Sequence, residues 1–197
     1  MIDRGINDVL SEKRGAILTR WFDAIADSYP ANASSFFKDR KDRFANPVGS
    51  AIKEATETVV DVLIDGTSME MPGKNEGEKV YGCLDRVIRI RAVQDFTPSK
   101  AVGFIFLLKR VLREELQQEL GKDGMYGQLL FLESRIDSMA LVCFESYMKY
   151  REKLFELKVD EFKHMAFRLL EKANLTVDPT GDRIASGKGA PESSDMK

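Results

Sequence analysis

Apolar residues recur every three or four positions along almost the whole chain, and this spacing constrains the fold more than any other feature. An α-helix places residues at this spacing on one face, whereas a half-buried β-strand needs strict alternation. The sequence has no convincing alternating run. The first apolar face consists of Ile17, Leu18, Trp21, Phe22 and Ile25. The pattern therefore predicts an all-α fold of about five to seven helices.

Proline, glycine and asparagine mark the ends of the predicted helices. The predicted helices span residues 11–28, 47–65, 78–94, 98–120 and 125–173. A short turn over residues 6–10 precedes them, and connections at 31–45 and 67–77 separate them. The segment 101–108 is apolar on nearly every side, which predicts a central helix buried all round. The last segment fits either one helix or two.

Composition changes near the C-terminus of the chain. From about residue 175 onward, proline, glycine and serine dominate, and such segments bury too little apolar surface to fold. Residues 1–173 are therefore predicted to form a single helical domain, and residues 174–197 a disordered tail.

The overall composition excludes several classes of protein. Apolar residues make up 43% and charged residues 31% of the 197 residues, which is typical of a soluble globular protein. The net charge of -2 lacks the basic excess of a nucleic-acid binder. No apolar run reaches the roughly 20 residues of a membrane span, and the N-terminus has no signal-peptide pattern. We therefore expect a cytoplasmic protein that has no membrane span and binds no nucleic acid.

Residues that carry chemistry are scarce. His164 is the only histidine, so one chain cannot supply a two-histidine metal site. A globin needs a proximal histidine, but His164 lies in the last helical segment, where that ligand is not expected. Cys83 and Cys143 form no CxxC motif and are predicted to be small, buried, reduced thiols. With no phosphate loop or nucleophile motif either, the sequence predicts no enzyme activity, no cofactor and no metal.

Two polar corners interrupt the apolar pattern, one at residues 42–47 and one just before Thr97 and Pro98. Their candidate contact residues are Arg43, Asn46, Arg91, Gln94 and Asp95. In a structural interpretation, the arginine caps the last carbonyls of its own helix, and the aspartate pairs with an arginine or with turn amides. In a functional interpretation, these residues contact a small anionic ligand or a partner protein. Both interpretations stay open at this point.

The same corners carry a resemblance to a known family. Segments 43–48, 90–101 and 135–152 resemble the hallmark segments of the RsbRD N-terminal domain family, found in RsbR-type stressosome co-antagonists. Their order and spacing are also similar, from about residue 17 to residue 157. The segment 90–101 is the most specific of the three.

The resemblance implies a fold and a role. In that family the domain is a sensory or docking module that usually precedes a STAS output domain, and related domains are non-haem, globin-like dimers. The resemblance therefore implies a globin-like helical fold, a homodimer and signal input without catalysis. Since no STAS domain fits after residue 173, output is expected to require a partner. The alternative is a small-molecule-binding protein or an accessory subunit of a larger complex, for example a redox complex.

Overall fold

The computed structural model describes residues 5–30, 46–66, 75–121 and 124–173. These residues contain helices and connecting turns but no strand, which confirms the predicted all-α class. Five helices are present in the described ranges: α1 (Ile6–Ala26), α2 (Pro47–Ile64), α3 (Asn75–Val93), α4 (Pro98–Leu116) and α5 (Met125–Lys172).

The helix boundaries differ from the prediction at several ends. The predicted turn at residues 6–10 is the beginning of α1 itself, and α3 starts at Asn75, within the predicted loop. Helix α4 ends at Leu116 and continues as turns to residue 121. Helix α5 is unbroken, so the last segment is one helix. The connection 31–45, the loop residues 67–74 and the tail 174–197 lie outside the described residues.

The predicted N-cap at Asn46 is confirmed in detail. Its Oδ1 accepts a hydrogen bond from the Gly49 amide at 2.8 Å, and Pro47 occupies the first helical position. A Cβ added to Gly49 would clash with the side-chain amide of Asn46, so only glycine fits there without a shift. Thr97 also precedes its helix, but its hydroxyl lies 3.3 Å from the Ser99 hydroxyl and caps no amide.

The chain divides into two compact units, Met1–Leu154 and Phe155–Lys197. In the first unit, α1 packs on α2 and α4, and α3 also packs on both. The part of α5 within this unit contributes eight buried apolar residues to the same core, and five of them follow the predicted three-four spacing. These five are Leu129, Leu132, Ile136, Met139 and Cys143. The first unit therefore encloses one apolar core drawn from all five helices.

The prediction that segment 101–108 is buried on every side is wrong. Ala101, Phe104 and Leu108 face the core, but 46% of Phe106 is exposed and Leu107 is half-buried. Helix α4 therefore has one side at the surface of the unit. Folded proteins commonly leave some apolar side chains at the surface. An apolar sequence pattern therefore does not require every apolar residue of the helix to be buried.

The described part of the second unit is the C-terminal end of α5. Its large apolar side chains are mostly exposed: Phe155, Leu157, Phe162, Met165, Phe167, Leu169 and Leu170. Among the described helices, none combines the length and the hydropathy needed to cross a bilayer.

Candidate functional site

Arg91, near the end of α3, is fully buried and connects three helices. Its Nε donates to the Tyr29 hydroxyl at 3.1 Å, Nη1 to the Lys100 carbonyl at 2.9 Å, and Nη2 to the Ser28 hydroxyl at 3.3 Å. These partners follow α1 or begin α4. The structural interpretation expected Arg91 to cap the last carbonyls of its own helix. The guanidinium instead bonds to residues of other elements.

Aromatic rings surround the same guanidinium. Its central carbon lies 4.9 Å from the ring centroid of Tyr29, 5.2 Å from that of Phe96 and 4.6 Å from that of Phe104. The negative faces of the rings stabilise the positive charge. Burial nevertheless lowers the pKa of Arg91 from its ordinary value, because the charged form loses its hydration. This cation is stabilised by rings, hydroxyls and a carbonyl.

Asp95 forms the corner that follows α3. Its φ of +57° lies in the left-handed region. The Phe96 backbone amide donates to the Arg91 carbonyl at 3.2 Å, which is the hydrogen bond of a Schellman-type helix C-terminus. The Asp95 carboxylate pairs with Arg151 of α5. The corner is thereby connected to the last helix.

The structure brings Arg91 and Asp95 to one corner but gives them different partners. The side chain of Gln94 is exposed, and the backbone N–H of Gln94 donates to the Ile90 carbonyl at 3.1 Å. Asn46 lies at the start of α2, where it is the N-cap, and Arg43 lies outside the described residues. The ligand or partner contact expected of these residues stays a prediction.

A second candidate site is a cavity of about 480 Å³ in the first unit that is open at the surface, since most of its lining residues are exposed. It is lined by Ile6, Asn7, Gly66, Gly124, Gly127, Gln128, Phe131, Leu132 and Arg135. These residues come from the start of α1, the turn after α2 and the start of α5. The Oε1 atom of Gln128 accepts a hydrogen bond from the Ile6 amide at 2.8 Å, which fixes the first turns of α1 and α5 side by side.

Arg135 is the charged residue of this cavity. Only 8% of it is exposed, and its Nη2 donates to the Val62 carbonyl at 3.3 Å. Its Nε atom is buried and forms no hydrogen bond within the described residues, although the side chain has other contacts. Burial lowers the pKa of Arg135. None of the nine lining residues is acidic.

Sequence reasoning missed this cavity. One signal was present, because Arg135 lies three residues after Leu132 and directly before Ile136 on an otherwise apolar helix face. An arginine on such a face is either buried or directed into a cavity. The other lining residues are far apart in the sequence, and no local pattern connects them.

Groups suited to catalysis do not gather in the described part of the chain. Cys83 and Cys143 are free and buried, as predicted. Burial and the nearby charge of Asp85 raise the pKa of Cys143 to about 12, so its thiol stays protonated and unreactive near neutral pH. His164 is exposed in the second unit. The described residues include no cluster of three or more metal-ligating side chains.

Comparison with known proteins identifies the family. The model of the RsbT co-antagonist protein RsbRD N-terminal domain matches residues 15–161, about three quarters of the chain. The matched range includes the Arg91 corner, the α5 side of the cavity and most of the core. No curated protein and no solved structure matches significantly. The chain belongs to the RsbRD N-terminal domain family, a family of regulatory, stressosome-type domains.

Proposed function

We propose that this protein is a non-catalytic, cytoplasmic signal-input domain that acts as a homodimer through protein–protein contacts. Family membership supports the signalling role, and it favours a globin-like fold without haem. One structural observation supports the dimer, namely the exposed apolar residues at the C-terminal end of α5.

Three of these exposed residues are spaced by seven positions. Phe155, Phe162 and Leu169 are 68%, 70% and 61% exposed. Large apolar residues at seven-residue intervals are typical of helices that pair as coiled coils. In the first unit, the exposed residues Leu141 and Met148 precede them at the same interval. A second copy of the chain presents an identical row, so a symmetric pair of helices would cover both.

Substitution within this row tests the homodimer. We expect the wild-type protein to sediment as a dimer. Phe162→Glu should weaken the dimer at least about tenfold, because it places a charge where the dimer would bury an aromatic ring. Phe167→Glu is the matched control, since Phe167 is also exposed but lies outside the seven-residue row. A monomeric wild-type protein at tens of micromolar, or equal effects of the two substitutions, contradicts this interface.

The signalling role is tested in the native cell. Cross-linking followed by purification of the wild-type protein is expected to recover a protein with a STAS domain, the output module typical of the family. Recovery of enzyme subunits instead would support the alternative role as an accessory subunit.

The absence of haem has a direct test. We expect the ultraviolet-visible spectrum of the protein purified from its native cell to show no Soret band. A Soret band would contradict the non-haem proposal.

A further inference from the structure

We propose that α4 and the adjoining apolar side of α5 form a groove that receives α5 of a second copy of the chain. This groove, the α4–α5 face, consists of Phe106, Leu141, Phe144 and Met148, which are all exposed. The docking mode rests on the proposed homodimer and extends it, because it brings a second helix of each copy into the interface.

Two ion pairs fix how α4 and α5 lie side by side. Lys109 pairs with Asp137 at 2.9 Å, and Arg113 pairs with Glu133 at 2.6 Å. The second pair lies one turn later along α4 and one turn earlier along α5, so the two helices run antiparallel at this point.

The same register brings apolar side chains of the two helices together. Phe106 lies three residues before the lysine of the first pair, and Leu141 lies four residues after its aspartate. Both are therefore about one turn beyond that pair, in the same direction. Leu141, Phe144 and Met148 are spaced by three and four positions and share one side of α5. Phe106 thus extends this exposed apolar side of α5 onto α4.

The seven-residue row of α5 indicates what covers this face. Leu141 and Met148 belong both to the α4–α5 face and to the row proposed for the dimer. A second α5 that packs on the row lies about 8–10 Å from the first, the usual distance between packed helices. Since α4 lies beside the same side of α5, the second α5 is within packing distance of both helices.

The apolar area agrees with a second copy as the occupant. Stable interfaces bury about 800 Å² per partner. If a fully exposed large apolar side chain offers about 200 Å², the row together with Phe106 and Phe144 offers roughly 800 Å² per copy. The three row residues of the second unit alone, Phe155, Phe162 and Leu169, offer roughly half of that. Contacts in the first unit are therefore expected to contribute to the dimer.

Substitution on α4 tests the face in the full-length chain. In sedimentation, we expect Phe106→Glu to weaken the dimer at least about tenfold relative to the wild-type protein, because a charge in a covered apolar groove loses its hydration. Val93→Glu is the matched control, since Val93 is also an exposed apolar residue of the first unit but lies at the end of α3. Equal dimer affinities of the two variants overturn the α4–α5 face as an interface.

The homodimer and the α4–α5 face fail in different ways. A monomeric wild-type protein at tens of micromolar overturns both. If Phe162→Glu weakens the dimer and Phe106→Glu does not, the dimer stands, but another partner or solvent covers the α4–α5 face. Phe106→Ala adds no charge and should weaken the dimer at least about threefold. It decides the question if Phe106→Glu does not fold, judged by circular dichroism.

Discussion

Two buried arginines of the first unit have contrasting surroundings. Arg91 is enclosed by three aromatic rings and donates to two hydroxyls and a carbonyl. Arg135 borders a cavity of about 480 Å³ beside two amide side chains. Both are desolvated, and burial lowers the pKa of both. The contrast is that Arg91 is enclosed by the packed core, whereas Arg135 borders a cavity that is open at the surface.

The largest effect is expected from Arg91→Met. This substitution removes the hydrogen bonds that the guanidinium donates to the Lys100 carbonyl and to two hydroxyls, so we expect a loss of about 3 kcal/mol in the free energy of unfolding, measured with urea. Arg89→Met, an exposed position on the same helix, is the control and should change stability little. A loss below about 1 kcal/mol would show that Arg91 does not hold the corner together.

A smaller loss is expected from Arg135→Met. Water can enter the adjoining cavity and solvate the polar groups that the substitution leaves behind, so we expect about 1 kcal/mol in the same urea experiment. The comparison between the two arginines would break down if Arg135→Met were as destabilising as Arg91→Met.

A gain in stability is expected from Gly127→Ala. The residue is helical and its added Cβ meets nothing, so we expect the free energy of unfolding to rise by about 0.5–1 kcal/mol. Gly66→Ala is the contrasting variant of the same cavity and should lose about 1 kcal/mol, because its φ of +66° strains any side chain. Destabilisation by Gly127→Ala would show that the cavity is smaller than the structure indicates.

The smallest effect is expected from Asp95→Gly at the Arg91 corner. Glycine suits the left-handed conformation, and the lost ion pair with Arg151 is at the surface, so the free energy of unfolding should stay within about 0.5 kcal/mol. Asp95→Val should be clearly less stable than Asp95→Gly, because a β-branched residue strains at positive φ. Equal urea midpoints for the two variants would show that backbone conformation does not matter there.

Local features of the fold were predictable because they depend on neighbours in the sequence. The Asn46–Pro47 helix start and the buried row on α5 follow from capping and from helical spacing. The exposure of Phe106 was not predictable, because the number of helices that pack around α4 is a property of the tertiary structure. The family was recognisable from contiguous segments that include the Arg91 corner.

The sequence by itself determined the helical class, three of the helix starts and the family, since each depends on short-range spacing or on contiguous motifs. Only the tertiary structure decided the roles of the two arginines. Nothing adjacent to Arg91 in the sequence specifies Tyr29 as its partner, and nothing adjacent to Arg135 specifies Asn7 or Gly66. Hydrophobic periodicity encodes which face of a helix is buried, but the neighbours of that face depend on how all the helices pack together.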